Sequence, residues 1–379
     1  MQKTVVVFFG GKSCEHDISI ITGLQVMTNL DRVKYKIVPV YITRDGRWLT
    51  GEKLLKSSTY QDFKERGTRE CFFEPGKGKL IIKNILIGSV VDVDVALLCM
   101  HGTNGEDGSL QGLLMLSNVP FTSSGVLGSS VTMDKIIMKG LFKAMRVASV
   151  GYVWLYSREY KDYADWVVER IERELKYPVM VKPSNLGSSI GISRCANREE
   201  LLIGLEVASK YDTRILVEQA LTDFREVNVS CLGHEGEFEV SVCEEPKGFK
   251  NILNFSDKYI TKNSEGGIER VMPADISESV ELKIKKMAMR ACSLMDCSGV
   301  VRVDFLLDST TGKPYINEIN SIPGSLSFHM WRESGMSFGS LLDRLISLAI
   351  LKHKERSELN YAYSSVALFN FSHNNIFNK

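Results

Sequence analysis

The chain has 379 residues, of which 44% are apolar and 25% charged, enough for a well-buried core and for more than one domain. Its 47 Lys plus Arg stand against 46 Asp plus Glu, for a net charge of +1. That balance excludes a generally basic surface for nucleic acid or an anionic membrane, so an anionic ligand must be gripped by a local site.

The N-terminus opens straight into an apolar strand at 5–9, without a basic leader pattern. Further strands are expected at 36–43 and 93–100, with helices at 15–30 and 108–116. This alternation over residues 1–130 predicts a parallel sheet. The longest apolar run, 90–100, is broken by Asp92 and Asp94 and falls short of the ~18 residues a membrane helix needs.

A second unit is expected over 131–220. Ser157 is placed to cap a helix carrying Tyr160, Ala164, Val167, Ile171 and Leu175 at helical spacing. Strands follow at 179–182 and 190–193 around a Gly/Ser turn, then a helix at 199–209 and a strand at 214–218. The third unit, 221–379, begins with strands at 226–232 and 237–243. The unpatterned stretch at about 246–270 is long enough to be a lid or binding loop. A helix opened by the capping pair Asp275 and Glu278 comes next, then a hairpin at 299–320 and a helix at 337–350. Eight cysteines without a CxxC, and six histidines not clustered with them, argue against a zinc site or disulfide framework and for a reduced, cytoplasmic setting.

The hairpin carries the most chemistry. A turn near Thr311 sets Asp304 opposite Glu318 and Arg302 opposite Asn320, all on one face. Facing carboxylates repel unless a cation lies between them. The all-oxygen set Asp304, Glu318 and Asn320 suits magnesium better than zinc; a solvated polar face is the alternative.

Lys182 ends a strand before Gly187-Ser188-Ser189-Ile190-Gly191, a turn whose N–H groups and hydroxyls can cradle phosphate. The same residues match a nucleophile elbow with Ser189 as nucleophile. That motif needs strand, turn and helix, whereas a strand is expected here; a plain turn is the third reading. Gly10-Gly11-Lys12-Ser13 resembles the end of a P-loop, but position 6 is Val6, and no G-x-G-x-x-G is present.

Glu15 and His16 open a helix after a strand, where ligands of open sheets bind and where a glutamate otherwise serves the helix dipole. His101 to Gly108 is a glycine-rich loop with two acids, Glu106 and Asp107, which also reads as a turn with N-cap acids. Lys135 alone reads as a surface residue. Glu218-Gln219-Ala220-Leu221 joins the second and third units, where backbone groups can read an adenine edge.

In order, these segments resemble the D-alanine–D-alanine ligase family of ATP-grasp enzymes, from Gly10 to about Ile350. The likeness rests on Gly10 to Ser19, His101-Gly-x-x-Gly-Glu-Asp-Gly, Ser124-Gly125 with Met133-Asp-Lys135, Val181-Lys-Pro with Gly187-Ser-Ser-x-Gly, Arg302-x-Asp304, and Glu318-x-Asn320-x-x-Pro-Gly324. It implies an α/β, three-domain ATP-grasp architecture: an N-terminal Rossmann-like parallel-sheet domain and two α+β domains gripping ATP. Lys135, Lys182 and Ser189 would then meet the phosphates, with Lys258 as a lid lysine. Glu218, Gln219 and Leu221 would form the adenine hinge and Glu226 the ribose contact. Asp304, Glu318 and Asn320 would hold two magnesium ions, or manganese.

On the same likeness Arg302 and the Gly324 N–H would stabilise the attacked carbonyl. Glu15 would hold the first substrate's ammonium, with Ser188 and Tyr259 in its network, while His101 and His329 stand on the substrate side. The implied activity is ATP-dependent joining of two amino acids, D-alanine with D-alanine, for peptidoglycan. Homodimers are usual in the family, and neither nucleic acid nor membrane is expected as a partner.

The chain departs from the pattern in its lid, Asn254-Phe-Ser-Asp-Lys258-Tyr259. It also departs at His329, where a serine usually meets the second substrate's carboxylate, and at 222–226, about one residue longer than usual. D-Ala-D-Ser or another D-Ala-X product therefore stays open. A serine hydrolase using Ser189 and a non-catalytic ATP-binding module are the rivals.

Overall fold

The computed structural model describes residues 2–84, 88–187, 189–247 and 269–361. The first sheet contains β1 (Lys3–Gly10), β2 (Tyr35–Ile42), β3 (Trp48–Thr50), β4 (Arg69–Glu74), β5 (Lys79–Ile82), β6 (Ser89–Asp92) and β7 (Val95–Leu98), in the order β6-β5-β4-β3-β2-β1-β7. Pairing is parallel only across β2-β1-β7 and antiparallel from β2 outward. The expected parallel sheet is thus corrected to a mixed one. β1 and β7 are buried on both faces, as parallel strands require, whereas β4 alternates exposed and buried residues. The added strands are short and their alternation weak. Helix α1 (His16–Asn29) lies on β1, and Gly23 permits it: a Cβ there would sit 2.7 Å from the side chain of Phe9.

After α2 (Ser109–Leu116) and α3 (Val126–Met133) comes α4 (Lys135–Ala144), capped by the Asp134 carboxylate, which accepts from the N–H groups of Ile136 and Ile137. The second sheet has β8 (Tyr152–Tyr156), β9 (Val179–Pro183), β10 (Ser193–Cys195) and β11 (Arg214–Gln219), with α5 (Ser157–Asp162), α6 (Ala164–Glu174) and α7 (Arg198–Ala208). It is antiparallel in the order β10-β9-β11-β8. Two expectations change here. The single helix after Ser157 is broken at Tyr163, whose φ is −142°. Ser157 also lies within α5, its hydroxyl donating to the Asp212 carbonyl at 2.6 Å rather than capping.

The third sheet, antiparallel in the order β13-β12-β16-β17, is made of β12 (Phe224–His234), β13 (Glu237–Val240), β16 (Gly299–Asp308) and β17 (Pro314–Asn320). Beside it β14 (Glu245–Lys247) and β15 (Glu269–Val271) form a two-stranded ribbon. α8 (Glu278–Leu294) begins after Ser277, so Asp275 lies outside the helix and does not cap it. α9 (Phe328–Glu333) and α10 (Phe338–Ser357) complete the described elements.

Packing draws distant segments together. Trp331, Leu341 and Leu345 join the core of the first sheet, and Met138 and Phe142 of α4 join Val227 and Phe305 in the core of the third. Every cysteine except Cys14 is buried. Among the described residues no single helix is long and apolar enough to cross a membrane.

Candidate active site

Elements from all three sheets line a cleft of about 350 Å³. The register of β16 and β17 sets Asp304 opposite Glu318 and Arg302 opposite Asn320. Asp304 is 3% exposed and takes a two-pronged contact from Arg302, Nε to Oδ1 at 2.6 Å and Nη2 to Oδ2 at 2.7 Å. The Asn320 amide donates to Asp304 Oδ2 at 3.1 Å. Glu318 lies 3.9 Å from Lys135 Nζ. Two facing acids are therefore flanked by two cations. Asp304 Oδ1, with one hydrogen bond, keeps a further lone pair, and Asp304, Glu318 and Asn320 offer the all-oxygen donors a hard divalent cation takes. The residues fit such an ion.

The lysines come from two elements. Lys135 is the first residue of α4, fixed there by the Asp134 cap, and its Nζ donates to the Leu186 carbonyl in the Gly/Ser turn at 2.6 Å. Lys182, near the end of β9 and 8% exposed, donates to Asn317 Oδ1 at 3.3 Å and is ion-paired with Glu218. After the turn comes β10, so the chain runs strand, turn, strand and the elbow reading of Ser189 fails. Ser189 itself sits in the turn with φ 59°. Ser188, Lys258 and Tyr259 lie outside the described residues.

The adenine-hinge expectation is redrawn at its side chains. Glu218 lies in β11, within the strand expected at 214–218, and is 2% exposed between Lys139 and Lys182. Burial alone would raise its carboxyl, but Lys139 and then Lys182 outweigh it and hold it at about 2. Gln219 spends its side chain on the backbone of Lys176 and Pro178. Any contact these two make with a nucleotide is left to the main chain. Leu221 follows, half-buried, in the link to β12. Glu226 lines the cleft and accepts from the Asn228 amide at 3.2 Å.

On the other side of the cleft Glu15 precedes α1. A Cβ at Gly187 would stand 2.6 Å from its Oε2, and one at Gly102 2.8 Å. Both loops are thus pressed against this carboxylate. Glu106 accepts from the N–H groups of Gly102 at 2.8 Å and Ile322 at 3.0 Å. Burial, and then the Glu15 charge, push its carboxyl up to about 8.

His101 does not line the cleft. It is 3% exposed, with Nδ1 on the Ile322 carbonyl at 2.9 Å and Nε2 on Thr22 Oγ1 at 2.9 Å, and burial lowers it to about 4. Its expected substrate contact is therefore corrected to a neutral brace under the loop that ends in Gly324. Gly324 lines the cleft. The next three residues, Ser325, Leu326 and Ser327, all have φ near 50°, a left-handed turn that L residues adopt only under constraint. Thr22 supplies part of it, accepting from the Ser325 N–H at 3.2 Å. His329 meets Glu244 Oε2 at 3.0 Å and Arg270 Nη1 at 2.9 Å. Glu244, 1% exposed, is ion-paired with Arg270. Burial opposes its charge, but His329, Arg270 and Arg302 keep its carboxyl low.

Sequence reasoning missed Lys139, Glu244 and Arg270, and left Glu106 as a cap. Lys139 carried a signal: it stands one helical turn after Lys135 in an otherwise apolar stretch. Glu244, just before β14, and Arg270 in β15 lie 26 residues apart, and no local pattern joins them.

Residues 4–124 match the family model described as D-ala D-ala ligase N-terminus, and residues 141–347 match D-ala D-ala ligase C-terminus. The D-alanine--D-alanine ligase of Caldicellulosiruptor bescii is 38% identical over 94% of this chain and 98% of its own length. That of Geobacillus thermodenitrificans is 36% identical over 96% and 100%. Among solved structures, the D-alanine-D-alanine ligase of Coxiella burnetii superposes with a TM-score of 0.81, at 30% identity, over 94% of this chain and 96% of its own. The VanG D-Ala:D-Ser ligase of Enterococcus faecalis gives 0.80, at 29% identity, over 92% and 100%. With its ATP-grasp fold, its lysines and its acid-rich hairpin around one cleft, the chain belongs to the D-alanine–D-alanine ligase family.

Proposed function

We propose that the chain joins two molecules of D-alanine into D-alanyl-D-alanine with hydrolysis of ATP to ADP and phosphate, supplying peptidoglycan precursors in the cytoplasm. One observation carries this reading: in a member of this family, Glu15, Lys135, Arg302, Glu318, Asn320 and Gly324 all line one cleft, with Asp304 bonded to Arg302 and Lys182 to Asn317, the neighbour of Glu318.

Glu15 takes the ammonium of the first D-alanine and leaves its carboxylate facing the phosphate side. Lys135 and Lys182 hold the phosphates in line, with Ser189 in the turn between them. The γ-phosphoryl group passes to that carboxylate, giving an acyl phosphate and ADP. The amine of the second D-alanine then attacks the acyl carbon, the C–O bond to phosphate breaks, and the amine proton is lost. Arg302 and the Gly324 N–H face the oxygen that gains charge in the attack. Asp304, Glu318 and Asn320 would hold two magnesium ions, or manganese, which supply charge neutralisation for phosphoryl transfer. On the family likeness Lys258 would meet the phosphates, and Tyr259 and Ser188 would join the network around Glu15. An acyl phosphate survives only where water is excluded. A homodimer is the proposed assembly.

A second reading concerns the acceptor alone. His329 and Arg270 share the buried Glu244, an ionic arrangement where the family pattern has a hydroxyl, which favours D-serine or another D-amino acid as second substrate. ADP release is measured with magnesium, ATP and D- and L-amino acids singly and in pairs, with products identified by mass. Turnover with D-alanine alone is expected. Turnover only for D-alanine with another acceptor moves the specificity to His329 and Arg270. No ADP with any pair rejects the ligase.

A further inference from the structure

Behind the cleft lies an arrangement that phosphate binding alone does not require. Lys139 on α4 is 1% exposed and Glu218 on β11 is 2% exposed, with Lys139 Nζ 2.7 Å from Glu218 Oε1. This contact is one of charge rather than an aligned hydrogen bond. The other carboxylate oxygen, Oε2, holds Lys182, whose Nζ also reaches Asn317 in the acid-bearing strand β17. One buried carboxylate thus serves two ammonium groups.

Burying a lysine is costly, and burial does lower Lys139. If its only task were to neutralise Glu218, Lys182 already does so. The redundancy ends once Lys182 turns to a phosphate. Without Lys139 that move would leave a buried carboxylate uncompensated, the situation that makes a broken buried ion pair so unfavourable. The Lys182–Glu218 pair would then compete with the nucleotide for Lys182.

We propose that Lys139 is a standing counter-ion for Glu218 that frees Lys182 to bind phosphate, and so sets nucleotide affinity without touching the nucleotide. Lys139 is a positioning residue in this scheme. The inference rests on the reading that Lys182 is an ATP phosphate ligand.

The test is equilibrium titration of ADP with magnesium into the full chain as wild type, Lys139→Met, Glu218→Gln and the double variant. Melting of each ligand-free protein and the KM for D-alanine are measured beside it. Lys139→Met should weaken ADP binding about tenfold or more, with the D-alanine KM unchanged. The double variant should recover most of that loss, because no buried carboxylate is left to strand when Lys182 turns to a phosphate. A Lys139→Met protein that melts lower yet binds ADP as wild type has lost only a structural residue, and overturns the inference. Equal weakening in the single and double variants means that Lys139 acts otherwise than through Glu218, and overturns it too. If Lys139→Met does not fold, the double variant decides alone: ADP affinity near wild type supports the scheme and its loss refutes it. Absence of ADP binding to the wild type would sink the ATP-site reading and this inference together. Normal wild-type binding with an unaltered Lys139→Met variant sinks this inference only.

Discussion

Glu218 is buried behind the lysine side of the cleft, and Glu106 is half-buried in the cleft wall on the Glu15 side; lost water pushes both carboxyls up. Their neighbours then send them in opposite directions. Two lysines bring Glu218 down to about 2, while the Glu15 charge takes Glu106 to about 8. Glu106 receives two backbone N–H groups, and these do not reverse the shift. Full opposite charges decide the outcome where neutral dipoles do not. The lysine side is thus charged and locked, and the Glu15 side is poised to trade a proton or accept a cation such as a substrate ammonium.

The largest effect should come from unlocking the charged side. Glu218→Ala leaves Lys139 and Lys182 without their shared anion and should lose about 3–5 kcal/mol of stability in urea unfolding. A loss below about 1 kcal/mol, the scale of an exposed pair, would break the contrast, because Glu218 would then not be a desolvated anion.

Next is Arg302→Ala, which should slow ADP formation about 10²- to 10³-fold in initial-rate assays. It frees Asp304 from both prongs of its contact. It also removes a cation that draws the Glu106 carboxyl down, so that carboxyl should titrate still higher. Unchanged turnover would remove Arg302 from the site.

A smaller effect is expected at Gly187→Ala. The new Cβ would meet Glu15 Oε2 at 2.6 Å, and the movable carboxylate, not the backbone, should yield. The KM for the first amino acid should rise about tenfold, about 1.4 kcal/mol, with little change in melting temperature. Unaltered kinetics would show that Glu15 does not hold the substrate.

The smallest is a slope. Below its ordinary value of 4.5 Glu106 is protonated folded or unfolded; between 4.5 and about 8 the folded form binds the extra proton. Its contribution to stability is therefore full at low pH and lost as pH rises to about 8. Glu218 has the opposite sign, its contribution lost as pH falls from 4.5 to about 2. His101, held neutral down to about 4, loses its contribution as pH falls below 6.5. From 6.5 to 8 Glu106 titrates alongside Lys352, which burial lowers to about 8, and the comparison with a Glu106 variant separates the two. There, Glu106→Gln should remove a fall in stability that the wild type shows, and identical slopes in the two proteins would refute the raised carboxyl.

Much of this site is legible in the order of residues alone. The Asp304–Glu318 and Arg302–Asn320 pairings follow from a hairpin, where a turn and a period of two determine what faces what. The bulge between Asp304 and Phe305 lies just beyond those pairs and leaves them intact. The strand that carries Lys182 is legible for the same local reason, whereas the strand expected at 190–193 begins only at Ser193, because the turn runs on through Gly191. His101 misleads because its glycine-rich loop looks like a ligand loop, whereas its ring is consumed by Thr22 and Ile322, far away in the chain. Glu218 is legible as the end of a strand, but not its place between Lys139 and Lys182, which reach it from a helix and another strand.

The amino-acid sequence by itself determined the central strands β1, β2, β7, β9, β11 and β12, the hairpin register and the residue types at the cleft, because each depends on neighbours a few positions apart, whereas the short strands β3 to β6 carried too weak a pattern. Only the tertiary structure decided which charges meet. Lys139 and Lys182 reach Glu218 from a helix and a neighbouring strand, and Glu106 shares its wall with Glu15, Gly102 and Ile322. The reason is physical: a carboxylate's behaviour is governed by the charges within a few ångströms and by the water it has lost, and both are properties of the packed molecule.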